Sequence, residues 1–75
     1  MDKIVIVYNT VKKTVKIYRS LYFDKVLMTF NNCGIKSVDS NVGYIHVVKL
    51  DEPVITVFST TAGNAHLIIG EKDHG

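Results

Sequence analysis

Apolar and polar residues alternate along most of the chain between residues 3 and 70, and short polar turns interrupt the alternation. A repeat of two residues is typical of β-strands, because successive side chains of a strand point to opposite faces. Valine, isoleucine, threonine and tyrosine, which favour strands over helices, are frequent in these stretches. The pattern predicts six strands, at residues 3–8, 14–23, 25–31, 43–50, 54–60 and 65–70.

Turn residues separate these segments and support the same division. The sequence Asn-Asn-Cys-Gly at residues 31–34 is a strong turn signal, because asparagine and glycine tolerate positive φ. Pro53 cannot donate a hydrogen bond to a sheet and is expected at a turn or at the start of a strand. Gly63 and Asn64 form a pair that suits a tight hairpin.

The predicted fold class is all-β, in one domain that covers residues 1–75. We expect the six short antiparallel strands to form a meander that curls into a small barrel or sandwich. The alternative is a sheet with one short helix within residues 34–43, where the sequence is polar and less regular. Residues 71–75 are expected to form a frayed polar tail.

The first strand is apolar on both faces, because residues 4–8 read Ile-Val-Ile-Val-Tyr. Such a strand is expected at the centre of a sheet, or between its own core and a neighbouring subunit. A chain of 75 residues also has little surface to bury, and its single cysteine, Cys33, cannot form an intrachain disulfide. These observations predict a homo-oligomer.

Charge is distributed unevenly along the chain. Residues 1–37 carry a formal charge of +5 and residues 38–75 carry −3, which together give the net charge of +2. If this separation persists in the fold, the positive edge of one subunit meets the negative edge of the next, which favours head-to-tail association.

Several features indicate a cytoplasmic protein that does not enter a membrane. The apolar run at the N-terminus is too short for a signal peptide, and no run approaches the ~20 residues of a membrane span. A lone thiol is typical of a reducing compartment. The excess of lysine over arginine, with many isoleucines and asparagines, suggests an AT-rich coding genome, bacterial or phage.

Catalytic and cofactor motifs are missing from the sequence. The histidines (His46, His66 and His74) and Cys33 do not form the close ligand pairs of zinc sites, so we expect no metal site. Cys33 lacks a predicted helix N-terminus that would lower its pKa, which argues against a nucleophile. The chain is therefore expected not to be an enzyme and to use no cofactor.

The predicted strand at residues 14–23 carries the main candidate binding face. Alternation places Tyr18 and Tyr22 on one side of this strand, whereas Val15, Ile17, Leu21 and Phe23 are assigned to the core. Tyrosines beside cations are typical of sheets that bind single-stranded nucleic acid, and equally of protein interfaces or of a solvated strand. The candidate binding residues are Lys12, Lys13, Lys16, Tyr18, Tyr22 and Lys25.

A secondary binding candidate lies around the last predicted turn. Hydroxyls and backbone N–H groups next to a Gly-Asn turn are able to hold an anion or a nucleotide. Ordinary turn chemistry explains the same residues without a ligand. The residues are Thr60, Thr61, Gly63 and Asn64.

The leading hypothesis is a small non-enzymatic binding module that acts through its surface on a protein partner. Inhibition of a host protein by a phage or bacterial product is one form of this hypothesis. The alternative is an oligomeric binder of single-stranded nucleic acid or of a nucleotide signal, with the subunit interface forming the site.

Overall fold

A computed structural model describes residues 3–38 and 43–72. Seven short strands account for most of this length, and the one helical segment within the described ranges is a 3-10 turn at Ala62–Asn64. The strands are β1 (Ile4–Asn9), β2 (Thr14–Tyr18), β3 (Val26–Asn31), β4 (Cys33–Val38), β5 (Tyr44–Lys49), β6 (Thr56–Thr61) and β7 (Ala65–Gly70). The all-β prediction is confirmed, with seven strands in place of six.

The strands form two sheets, which pack as a sandwich. The first sheet has the order β3-β2-β1-β7 and the second has the order β4-β5-β6. Neighbours along the chain within each sheet pair antiparallel, as expected of a meander, whereas β7 pairs parallel with β1. Strands β3 and β7 are therefore the edges of the first sheet, and the described strands do not close into a barrel.

The predicted turn at residues 31–34 is a corner at which the chain passes from one sheet to the other. Only Asn32 separates β3 from β4, and its φ is 54°. Its carbonyl accepts a hydrogen bond from the N–H of Leu50 at 3.0 Å. The alternative of a short helix is wrong for residues 34–38, which belong to β4; residues 39–42 lie outside the described part of the chain.

The main core lies between the two sheets, and β1 crosses its centre. Residues from both sheets form one buried cluster, so each sheet covers the apolar face of the other. The buried members are Ile6, Val15, Ile17, Cys33, Ile45, Val47 and Ala65. The central position predicted for residues 4–8 is confirmed, because β2 and β7 pair with the two edges of β1.

The other face of β1 packs in a second, smaller cluster on the outer side of the first sheet. Val5, Val7 and Tyr18 are buried there, with Phe23 and Ile68 against them. The chain thus covers the second apolar face of β1 with its own residues. A neighbouring subunit is therefore not needed to bury the second apolar face of β1.

The predicted strand at residues 14–23 is wrong in its length, because β2 ends at Tyr18. Residues 19–25 form a loop that is closed by a hydrogen bond from the N–H of Arg19 to the carbonyl of Lys25 at 3.0 Å. Phe23 has a φ of 54° and turns toward the outer cluster. Leu21, which alternation assigned to the core, is 54% exposed.

Within the described ranges, no helix is long and apolar enough to cross a membrane. Of the predicted tail at residues 71–75, positions 73–75 lie outside these ranges.

Candidate functional site

The two tyrosines of the predicted binding face do not share a face in the structure. Tyr18 is 1% exposed and belongs to the outer cluster, whereas Tyr22 is 88% exposed at the loop after β2. The prediction that Tyr18 and Tyr22 share a face was wrong, because β2 ends at Tyr18 and Tyr22 lies in the following loop. Tyr18 is therefore enclosed within the fold, and of these two tyrosines only Tyr22 presents its ring to solvent.

The predicted lysines lie along the edge strand β3. Lys25 directly precedes β3, and Lys16 lies opposite Thr29 in the register of β2 and β3. Lys13 lies near the end of β3, since its carbonyl accepts a hydrogen bond from the N–H of Cys33 at 3.0 Å. Lys25, Lys16 and Lys13 therefore lie beside the start, the middle and the end of β3, respectively.

Asn9 positions the turn that carries Lys12 and Lys13. Its side chain is buried, and its Oδ1 accepts hydrogen bonds from the N–H of Val11 at 3.0 Å and from that of Lys12 at 2.9 Å. Lys13 then takes a φ of 58°, which reverses the chain into β2. This local arrangement is an Asx turn, and it fixes the backbone that carries both lysines.

Strand β3 has three consecutive exposed apolar side chains. Val26, Leu27 and Met28 are 45%, 44% and 41% exposed. Such a run is unusual in a strand, where one of two neighbours normally faces the core. A β-bulge contributes to it, because Ile17 pairs with Met28 and Tyr18 pairs with Val26, which leaves Leu27 without a partner on β2.

We call this region the β3 surface and define it by the exposed apolar residues of β3 and of the preceding loop: Leu21, Tyr22, Val26, Leu27 and Met28. The alternation of apolar and polar residues does not predict the β3 surface. An edge strand and a central strand that are apolar on both faces have the same sequence pattern. The only signal in the sequence is the unbroken apolar run at residues 26–28.

The surroundings of the β3 surface are positively charged. The loop holds one carboxylate, that of Asp24, and it is paired with the guanidinium of Arg19. This guanidinium holds the pKa of the Asp24 carboxyl below its ordinary value, so Asp24 is ionised and compensated at neutral pH. Lys16 on β2 and Lys25 directly before β3 add two positive charges beside this strand.

The residues of the secondary candidate are divided between different sides of the second sheet. Thr60 lies opposite Ile45, a core residue, whereas Thr61 lies opposite Tyr44 and faces away from the core. Gly63 and Asn64 are exposed in the 3-10 turn that follows. The strand alternation thus does not bring the two hydroxyls together as one anion site.

Comparisons with models of protein families, with curated protein sequences and with solved structures find no match for this chain.

Proposed function

We propose that the protein is a non-enzymatic binding module whose β3 surface pairs with an extended segment of a protein partner. The observation that carries this proposal is the run of three exposed apolar side chains, Val26, Leu27 and Met28, on a strand at the edge of a sheet. An edge strand offers backbone N–H and C=O groups to another strand. When a partner strand pairs with β3, the exposed apolar side chains of β3 become buried against it, which stabilises the pairing.

The lysines along β3 indicate the chemistry of the partner. Lys13, Lys16 and Lys25 accompany the strand, and the single carboxylate of the adjacent loop is compensated by Arg19. An added strand with acidic residues between its apolar ones complements this charge. A second copy of β3 supplies no acidic residue to complement this charge, because Val26–Asn31 contains none. The proposed partner is therefore a different protein with an acidic and apolar segment.

A module of this kind acts by occupying the segment that it binds. Inhibition of a host protein by a phage or bacterial product in the cytoplasm fits this mode of action, because a captured segment is no longer available to its own partners. The surface needs no catalytic group for this role.

Self-association through another surface is a separate part of the proposal. The small size of the chain and the exposure of Ile55 and Ile69 support it. Light scattering tests it: a mass that is a multiple of 8.4 kDa supports a homo-oligomer, and a mass of 8.4 kDa at all concentrations contradicts it.

Two matched variants test the role of the β3 surface. Leu27→Glu adds a negative charge at the centre of this surface, and Val54→Glu makes the same kind of change at an exposed apolar residue outside it. Each tagged variant is co-purified from the native cell, and the retained proteins are measured by quantitative mass spectrometry. We expect the Val54 variant to retain the wild-type partner and the Leu27 variant to lose it. Equal retention by both variants contradicts the proposal.

A further inference from the structure

The outer face of the second sheet carries a row of three polar residues. Lys36 on β4 lies opposite His46 on β5, and His46 lies opposite Ser59 on β6. The flanking residues of His46, Ile45 and Val47, belong to the core, so alternation directs His46 away from it. Neighbouring strands are about 4.8 Å apart, and the row therefore spans about 10 Å across the sheet.

An aromatic platform adjoins this row. The rings of Tyr44 and His46 stack with their centroids 6.0 Å apart and their planes 22° apart. Tyr44 is 41% exposed, so part of its ring remains open to a further flat group. Thr61 lies opposite Tyr44 on β6 and adds a hydroxyl to the same end of the face.

His46 does not behave as an ordinary structural histidine. Its Nδ1 is enclosed and has no hydrogen-bond partner among the residues that the structure describes. Buried nitrogens of structural histidines are almost always hydrogen-bonded. The His46 ring stacks on Tyr44, and such a stack suits a surface on which another ring is laid.

The charge of this face favours an anion. The strands β4, β5 and β6 contain no aspartate and no glutamate. Lys36 is exposed at one end of the row, and Ser59 offers an exposed hydroxyl at the other end. An ammonium group and a hydroxyl are donors that bind phosphate oxygens.

We propose that this face binds one nucleotide unit, with its base stacked on Tyr44 and its phosphate held by Lys36 and Ser59. Stacking of bases on aromatic side chains beside basic groups is how sheets hold single-stranded nucleic acids. The face has one partly open ring, Tyr44, and one pair of phosphate donors, Lys36 and Ser59, which matches a single unit. Such a unit occurs both as a free nucleotide and within a single strand.

A titration monitored by NMR tests this site with adenosine monophosphate, adenosine, inorganic phosphate and an adenine hexanucleotide as probes. Tyr44→Ala and Lys36→Met remove the platform and the cation. Tyr22→Ala, in the β3 surface, and Lys25→Met, directly before β3, are matched controls at exposed residues. We expect adenosine monophosphate to shift amide signals of β4, β5 and β6. Tyr44→Ala should weaken its affinity about 5- to 150-fold, and the controls should not change it.

Three results overturn the proposal: no saturable shift in the millimolar range, unchanged affinity in the Tyr44 and Lys36 variants, or equal affinity for adenosine and its monophosphate. If the hexanucleotide binds more tightly than the mononucleotide, the unit is recognised within a single strand. If it does not, the free nucleotide is the ligand. Both of these last results support the site.

Discussion

Tyr18 and Phe23 meet edge to face, with ring centroids 5.1 Å apart and ring planes at 90°. This contact turns the loop after β2 back over the outer side of the first sheet. It helps to cover Val5 and Val7, which are buried in the same cluster. The pair therefore explains both why β1 is buried on its second face and why Tyr18 is not available to a partner.

Tyr18→Ala is expected to destabilise the fold. Tyr18 is 1% exposed, and removal of a buried aromatic ring costs about 3–5 kcal/mol of the free energy of unfolding. Tyr22→Ala makes the same change at an exposed position and should alter this free energy by less than about 0.5 kcal/mol. Urea denaturation of both variants measures the difference. Similar losses in the two variants would show that Tyr18 is not part of a core.

Ile17→Ala tests the main core in the same way. Ile17 lies in the buried cluster between the sheets, and truncation of such an aliphatic residue costs about 2–5 kcal/mol. Leu21→Ala is the matched control, because a regular strand at residues 14–23 would put Leu21 on the same face, whereas in the fold it is exposed. Thermal unfolding should separate the two variants. A loss in Leu21→Ala as large as that in Ile17→Ala would support the regular strand.

Stability is expected to fall at high pH through Cys33. Burial raises the pKa of this thiol in the folded protein above its ordinary value of 9.0, and its Sγ lies 3.3 Å from the carbonyl oxygen of Asn31, to which the protonated thiol donates. The unfolded chain ionises first, so the contribution of Cys33 is complete below pH 9.0 and is lost as the pH rises further.

Cys33→Ala removes this titration while other groups continue to titrate. The free energy of unfolding of this variant should therefore fall less steeply above pH 9.0 than that of the wild type. Identical slopes in the two proteins would exclude the assigned role of burial at Cys33.

The sequence was a good guide where local patterns decide the structure. Residues 4–8 are apolar on both faces, and the centre of a sheet was one of the two positions that this pattern predicted. Asn32 takes the positive φ expected of an asparagine in a turn. Both features depend on neighbours in the chain, and both are confirmed.

The sequence was a poor guide where side-chain contacts within a loop, or pairing between distant strands, decide the structure. Nothing between Ser20 and Phe23 resembles a strong turn signal, since the turn is closed by side chains: the hydroxyl of Ser20 donates to Asp24 at 3.1 Å, and Phe23 packs on Tyr18. The parallel pairing of β7 with β1 also has no local signature. Consequently the predicted face that joins Tyr18 and Tyr22 was wrong, because β2 ends at Tyr18.

Hydrogen exchange on the complex with the co-purified protein partner tests the central claim most directly, because strand addition forms new backbone hydrogen bonds along β3. We predict that amides of β3 become protected in the complex, while amides of the second sheet exchange as in the protein alone. Binding that leaves β3 exchange unchanged and protects another region would contradict the account.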